Sequence, residues 1–183
     1  DEEFKARRYT LLGTLYREDP VPEPAGKYDI PAVRPKGWAI AGFEIDGMKL
    51  NLKVGRWETD GVKEIWELLP EKGLQIEWNY PYAGNDVYLV MEGAVHVKAD
   101  GHDFTARKRD VINIPPYYKH TLTVLEEGTV IYAYNVQSCL MHVMERLKAE
   151  KIRTPDNLKD WGYVEKILRE NNCWVTGIRK ITV

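Results

Sequence analysis

Cysteine is nearly absent from this chain: Cys139 and Cys173 are the only two among 183 residues. A disulfide scaffold and a thiolate zinc site both need more cysteine at closer spacing, so both are excluded and a reduced, cytoplasmic protein is expected. Nor is there an excess of charge of either sign. The 26 Lys and Arg stand against 28 Asp and Glu, for a formal net charge of −2, too near neutral for the broad electrostatic footprint that phosphate backbones or anionic membranes require. Neither nucleic acid nor membrane is an expected partner. Long hydrophobic runs are missing: no window approaches the roughly 18 apolar residues of a membrane span. The first residues, DEEFKARRYT, are charged where a signal peptide carries an apolar stretch. They do not begin with Met, which leaves a processed or trimmed N-terminus open. There is no Asn-x-Ser/Thr sequon to argue for secretion.

What the chain does have is enough apolar material for a core, at 44% hydrophobic and 30% charged. Its length suits one domain with appendages. Residues 17–37 carry Pro20, Pro22, Pro24, Pro31 and Pro35 with little apolar periodicity and read as an extended arm; the preceding RYTLLGTLY has strand composition. From Trp38 onward, short apolar runs alternate with turn signals, among them Asp46-Gly47 and Thr59-Asp60-Gly61. VKEIWELLPEKG fits a strand or a short helix. GLQIEWNY, DVYLVMEG, AVHVKAD, DFTAR, DVINIPP, HTLTVLEEG and TVIYAYNVQ then follow at short, even spacing, the signature of an all-β barrel or sandwich. After Gln137 the period lengthens. Leu140, Val143, Met144 and Leu147 share one helical face, and a second helix is expected after Thr154-Pro155-Asp156, carrying Leu158, Trp161, Val164, Ile167 and Leu168. The tail, CWVTGIRKITV, has β composition. The layout is therefore an N-terminal strand and Pro-rich arm (1–37), a β-barrel (38–137), and a helical cap with a final strand (138–183).

Residues 80–124 carry two patterns. Asp86 is followed by VYLVME and Gly93; Pro115-Pro116-Tyr117-Tyr118-Lys119 leads to His120; and fifteen residues separate Gly93 from Arg109. This arrangement resembles the two signature motifs of the cupin superfamily, the small jelly-roll barrels. The resemblance implies an all-β, cupin-like jelly-roll core, with Asp86, Gly93, Pro115 and His120 at motif positions. It departs from the pattern where the family opens its first motif with a His-x-His pair, because Tyr80-Pro81-Tyr82 stands there. Arg109 and Tyr117 replace two glycines, the usual Glu is Asp86, and Val124 replaces an Asn.

Strand alternation puts Tyr80 and Tyr82 on one face, with Ile76 and Trp78, so two phenols, one carboxylate and one imidazole can converge inside the barrel. A mixed set of Asp86, His120 and Tyr82 can hold a divalent metal such as Fe, Zn, Mn or Ni with open positions, more weakly than three histidines and a glutamate. Tyr80 or Tyr82 then serves as general acid or base. Each residue also has a plain structural reading: the tyrosines as amphipathic core, Asp86 as the cap of the Ala83-Gly84-Asn85 turn. A register slip would bring in Glu77 and Asn79 instead. His96 lies on a strand, His102 in an exposed hairpin turn, and His142 on the helical cap. The aromatic-rich β region, with Trp38, Trp57, Trp66, Trp78, Tyr117, Tyr118, Tyr132 and Tyr134, suits a core, an interface or a ligand pocket.

Three functions follow. The first is an enzyme acting on a small polar organic molecule by lyase, isomerase or cyclase chemistry, since oxygen-activating iron sites usually take two histidines and a carboxylate and this region offers one histidine. The second is a metal-free cupin that binds or senses a small ligand without chemistry. The third is an assembly role for the arm and cap. A homodimer is expected from the arm and the aromatic load.

Overall fold

A computed structural model of the chain describes residues 32–45, 47–59, 63–79, 86–135, 140–149, 161–170, 173 and 175–183. The expected strand at RYTLLGTLY, nearly all of the Pro-rich arm, and the start of the second helix lie outside these residues, as do Tyr80 and Tyr82.

The chain is built as an all-β core. Its strands are β1 (Ala41–Ile45), β2 (Met48–Val54), β3 (Glu64–Pro70), β4 (Leu74–Asn79), β5 (Asp86–Glu92), β6 (Ala94–Ala99), β7 (His102–Arg107), β8 (Val111–Ile114), β9 (Lys119–Val124), β10 (Val130–Asn135) and β11 (Val175–Lys180). Two helices, α1 (Leu140–Ala149) and α2 (Trp161–Glu170), precede β11. One sheet has the order β1-β2-β3-β10-β5-β8, the other β11-β4-β9-β6-β7, and every pairing is antiparallel. Alternate side chains point between the sheets, so Leu50, Leu52, Trp66, Leu68, Val90 and Ile112 from the first meet Leu74, Ile76, Val95, Val97 and Leu122 from the second, all buried. Met141, Val143, Met144 and Leu147 of α1 and Val164, Ile167 and Leu168 of α2 join the same core, which is the apolar face expected from their spacing. No helix among the described residues is long and apolar enough to cross a membrane.

VKEIWELLPEKG resolves as a central strand, β3, between β2 and β10. Its period was ambiguous because two glutamates on opposite faces are both buried. Glu64 faces the core, where its carboxylate accepts from Trp66 Nε1 (2.8 Å) and from the first amides of α1, Leu140 N (3.1 Å) and Met141 N (3.4 Å). It thus satisfies helix donors that have no partner within the helix. Glu67 faces outward, where Lys53 Nζ lies 3.3 Å away and Asn51 Nδ2 donates at 2.9 Å. Residues 34–38 seal this ion pair: Gly37 N donates to Glu67 (3.0 Å), Lys53 Nζ donates to the carbonyls of Pro35 (2.7 Å) and Trp38, and Arg34 pairs with Glu58.

Turn chemistry explains the register. Asp100 and Gly101 both take positive φ (43° and 84°), the two-residue hairpin geometry an Asp-Gly pair favours, and His102 after them is exposed as expected. Gly93 has φ 77°, and a Cβ there would lie 2.3 Å from Thr129 Oγ1, so only glycine fits. Arg109 (φ 76°) and Tyr117 (φ 70°) also lie in the left-handed region, at the two positions where the motif normally has glycine.

Candidate functional site

The interior centre forms where β4, β9 and β5 meet. Trp78 and His120 are register partners on β4 and β9; their rings stack with centroids 4.9 Å apart and planes 9° from parallel. Asp86 opens β5, and Tyr88, two residues on, shares its inward face. Tyr88 Oη lies 3.2 Å from His120 Nε2, and Asp86 Oδ2 lies 3.6 Å from the same nitrogen. His120 is 1% exposed, Tyr88 3% and Asp86 8%. The second motif acts as its spacing implies: strand β8 ends at Ile114, Pro115 and Pro116 lead the turn, and the chain re-enters the sheet one residue before His120.

The proton inventory follows from the partners. His120 Nδ1 sits 3.4 Å from the Tyr118 carbonyl, which can only accept, so Nδ1 carries the hydrogen. In the neutral ring Nε2 is then the acceptor and the Tyr88 hydroxyl the donor. Burial lowers the imidazole pKa to about 4, with the Tyr118 bond opposing the shift. A carboxylate beside an imidazole ordinarily raises its pKa, but here loss of solvation is the larger effect. At 3.6 Å Asp86 makes an ion pair only with a protonated ring. With the ring neutral there is no ion pair, and the separation is too long for a hydrogen bond.

Of the residues selected from sequence, Asp86 and His120 come together, and Tyr80 and Tyr82 lie outside the described residues. Glu77 turns the other way, pairing with Lys119 on the outer face (2.9 Å). The side chain of Asn79 is likewise outside the description. His96 pairs with Asp103 on the outer surface of the second sheet. Sequence reasoning missed Tyr88. The signal was present in Asp86-Val87-Tyr88, whose first and third residues must share a face. An open groove of about 650 Å³ between β1 and α1, lined by Ile40, Phe43, Glu145 and Lys148 among others, includes none of these site residues.

The donor set can be tested against a divalent ion. Two ligands each about 2.1 Å from one ion stand roughly 3.0–3.5 Å apart, and the 3.2 and 3.6 Å separations from Nε2 are of that size. The tautomer also leaves the Nε2 lone pair directed at the shared space. The set is nonetheless thin: no group of three His, Cys, Asp or Glu residues that could hold a metal exists among the described residues, and the third donor they offer is the Tyr88 phenol.

No protein-family model and no curated protein sequence matches the chain. Solved structures do. A predicted oxalate decarboxylase from Thermotoga maritima superposes with a TM-score of 0.50 at 9% identity over 57% of this chain and 99% of that one. KdgF from a Halomonas species gives 0.48 at 12% identity over 55% and 91%, and ectoine synthase from P. lautus 0.45 at 10% over 52% and 68%. The two antiparallel sheets and the likeness to the Thermotoga structure give the chain a cupin-like jelly-roll fold, as its two motif patterns implied. Likeness at this level of identity concerns the fold alone.

Proposed function

We propose that this cupin binds a small polar organic molecule in the barrel beside His120 and moves a proton on it, in a lyase, isomerase or cyclase reaction. One observation carries the reading: an imidazole held neutral by burial has its acceptor nitrogen 3.2 Å from a phenol oxygen and 3.6 Å from a carboxyl oxygen. A group unprotonated at neutral pH is ready to accept a proton. The Tyr88 hydroxyl, which donates to Nε2 here, turns to a substrate oxygen, and Nε2 takes a proton from the adjoining atom. Asp86 is placed to stabilise the imidazolium that results. Tyr80 and Tyr82, which lie between β4 and β5 in the sequence, are further candidates for the acid or base. Were Fe, Zn, Mn or Ni bound, His120, Asp86 and a phenol, Tyr88 or Tyr82, would hold it, and it would polarise a substrate oxygen.

A second reading, a metal-free cupin that binds a small ligand without chemistry, is favoured by the enclosure of the imidazole, whose side chain is fully buried against Trp78. Metal analysis after chelator-free purification, with melting curves on adding Fe, Mn, Zn and Ni, separates the two. About one equivalent of metal, or a clear rise in Tm that His120→Ala abolishes, supports a metal-assisted enzyme. If there is neither, and Tyr88→Phe leaves binding of every small polar compound in a melting-shift screen intact, the site is wrong.

A further inference from the structure

The strands that build the interior centre bring acceptors and aromatic rings to it, and no cation. The inward faces of β4, β5, β6, β8 and β9 hold no Lys or Arg; apart from Trp78, Asp86, Tyr88 and His120, their buried inward residues are aliphatic. The buried cations among the described residues serve other groups. Lys53 lies against Glu67 on the outer face of the first sheet, and the charge of Arg56 acts on Glu64 of β3. At the centre, Nε2 of His120 is an acceptor, because Nδ1 is turned to the Tyr118 carbonyl. Asp86 Oδ2 lies 3.6 Å from that acceptor, and the Trp78 ring stands 4.9 Å from the imidazole and 5.8 Å from the Tyr88 ring.

We propose that the molecule bound beside His120 carries a protonated amine, seated against Asp86 and the rings of Trp78 and Tyr88, and an uncharged oxygen function in place of a free carboxylate. This rests on the reading that a small polar molecule binds in the barrel, and it adds that molecule's charge. An anionic group there would meet a carboxyl and the negative faces of two rings, with no Lys or Arg on the surrounding strands to offset the loss of its hydration. A cation gains from each. An ammonium within about 6 Å of a ring centroid is attracted by the ring face, most strongly by indole. Its N–H groups make charge-assisted hydrogen bonds to a carboxylate, and its approach favours the ionised form of the acid. A neutral polyol would satisfy the acceptors and leave the attraction of the rings and the acid unused.

Three probes of nearly equal size and different charge test it on the chelator-treated full chain at neutral pH and constant ionic strength: ethanolamine as the cation, ethylene glycol as the neutral molecule and glycolate as the anion. Molecules this small bind weakly at best, so the reading is the shift of the Trp78 indole and His120 ring signals in NMR titrations. Ethanolamine should move both at a concentration at least tenfold lower than either other probe. Asp86→Asn should weaken ethanolamine at least tenfold, and Trp78→Leu, read at His120, by roughly three- to tenfold. The ranking on the parent chain decides even where a variant does not fold. Ethylene glycol or glycolate binding as well as ethanolamine overturns the charge assignment and leaves the site standing. So does ethanolamine binding that is unchanged in folded Asp86→Asn protein. If none of the three moves either signal the proposal fails, and the reading of the site falls with it only when the melting-shift screen also returns no compound.

Discussion

A tyrosine in the left-handed region costs roughly 1–2 kcal/mol against its relaxed backbone. Tyr117 accepts that cost in the turn that delivers His120 to its strand while its own side chain is 64% exposed. Little packing offsets the strain, which is the pattern expected where an exposed aromatic has a use outside the fold. Tyr117→Gly should therefore raise stability by about 0.5–1 kcal/mol, the relieved strain less the extra freedom of an unfolded glycine. That corresponds to a Tm increase of about 1–4 °C for a chain of this size. A fall in Tm would mean that the phenol ring contributes packing its exposure does not reveal. At this scale the sequence was partly legible. Asp86 and His120 sit at motif positions that spacing alone can mark. Tyr88 carries no such mark, because it sits at a variable position of the first motif, between Asp86 and Gly93.

Elements were legible wherever one face of a strand is dry and the other wet, as in β6 and β9, and wherever a helix shows a single apolar stripe, as in α1. The rule failed at β3, where a charged residue is buried on each side and alternation disappears. Both glutamates there hold one element to another: Glu67 fastens residues 34–38 over the first sheet, and Glu64 joins the sheet to the start of α1. A long-range acceptor of this kind leaves no local trace, since Glu64 and Leu140 are far apart in sequence. Replacing Glu64 by Ala should leave two helix amides and the Trp66 indole without their acceptor in a dry environment. Relief of the buried carboxylate offsets part of that loss, so a net destabilisation of about 1–3 kcal/mol is expected. Urea unfolding measures the total. Hydrogen exchange at Leu140 and Met141 should rise far more than in β6 or β9, and equal increases everywhere would contradict the anchoring role.

For the molecule as a whole, two buried groups on opposite walls of the core titrate against each other. Glu64 is raised by burial from 4.5 to about 7, with Trp66, Arg56 and the α1 amides opposing the shift; His120 is lowered by burial from 6.5 to about 4. Between pH 4.5 and 7 the folded state holds a proton on Glu64 that the unfolded chain has released. This contribution to stability is present below pH 4.5 and is lost as pH rises through 7. Between pH 6.5 and 4 the unfolded chain protonates His120 while the folded state does not. That contribution is present above pH 6.5 and is lost as pH falls through 4. Near pH 5.5 each slope approaches one proton, with opposite sign, so the two nearly cancel. Glu67 and Glu92, held low by their partners, and Glu145, raised by burial, add a background common to the parent and its variants. Difference curves therefore isolate the pair. In chelator-treated protein, Glu64→Gln should make stability rise with pH across 4.5–6.5, by nearly one proton relative to the parent. His120→Gln should make it fall by a similar amount, and the double variant should return close to the parent slope. Parallel curves for parent and Glu64→Gln would show that Glu64 is ionised in the folded protein throughout this range, with the nearby Arg56 charge outweighing its burial.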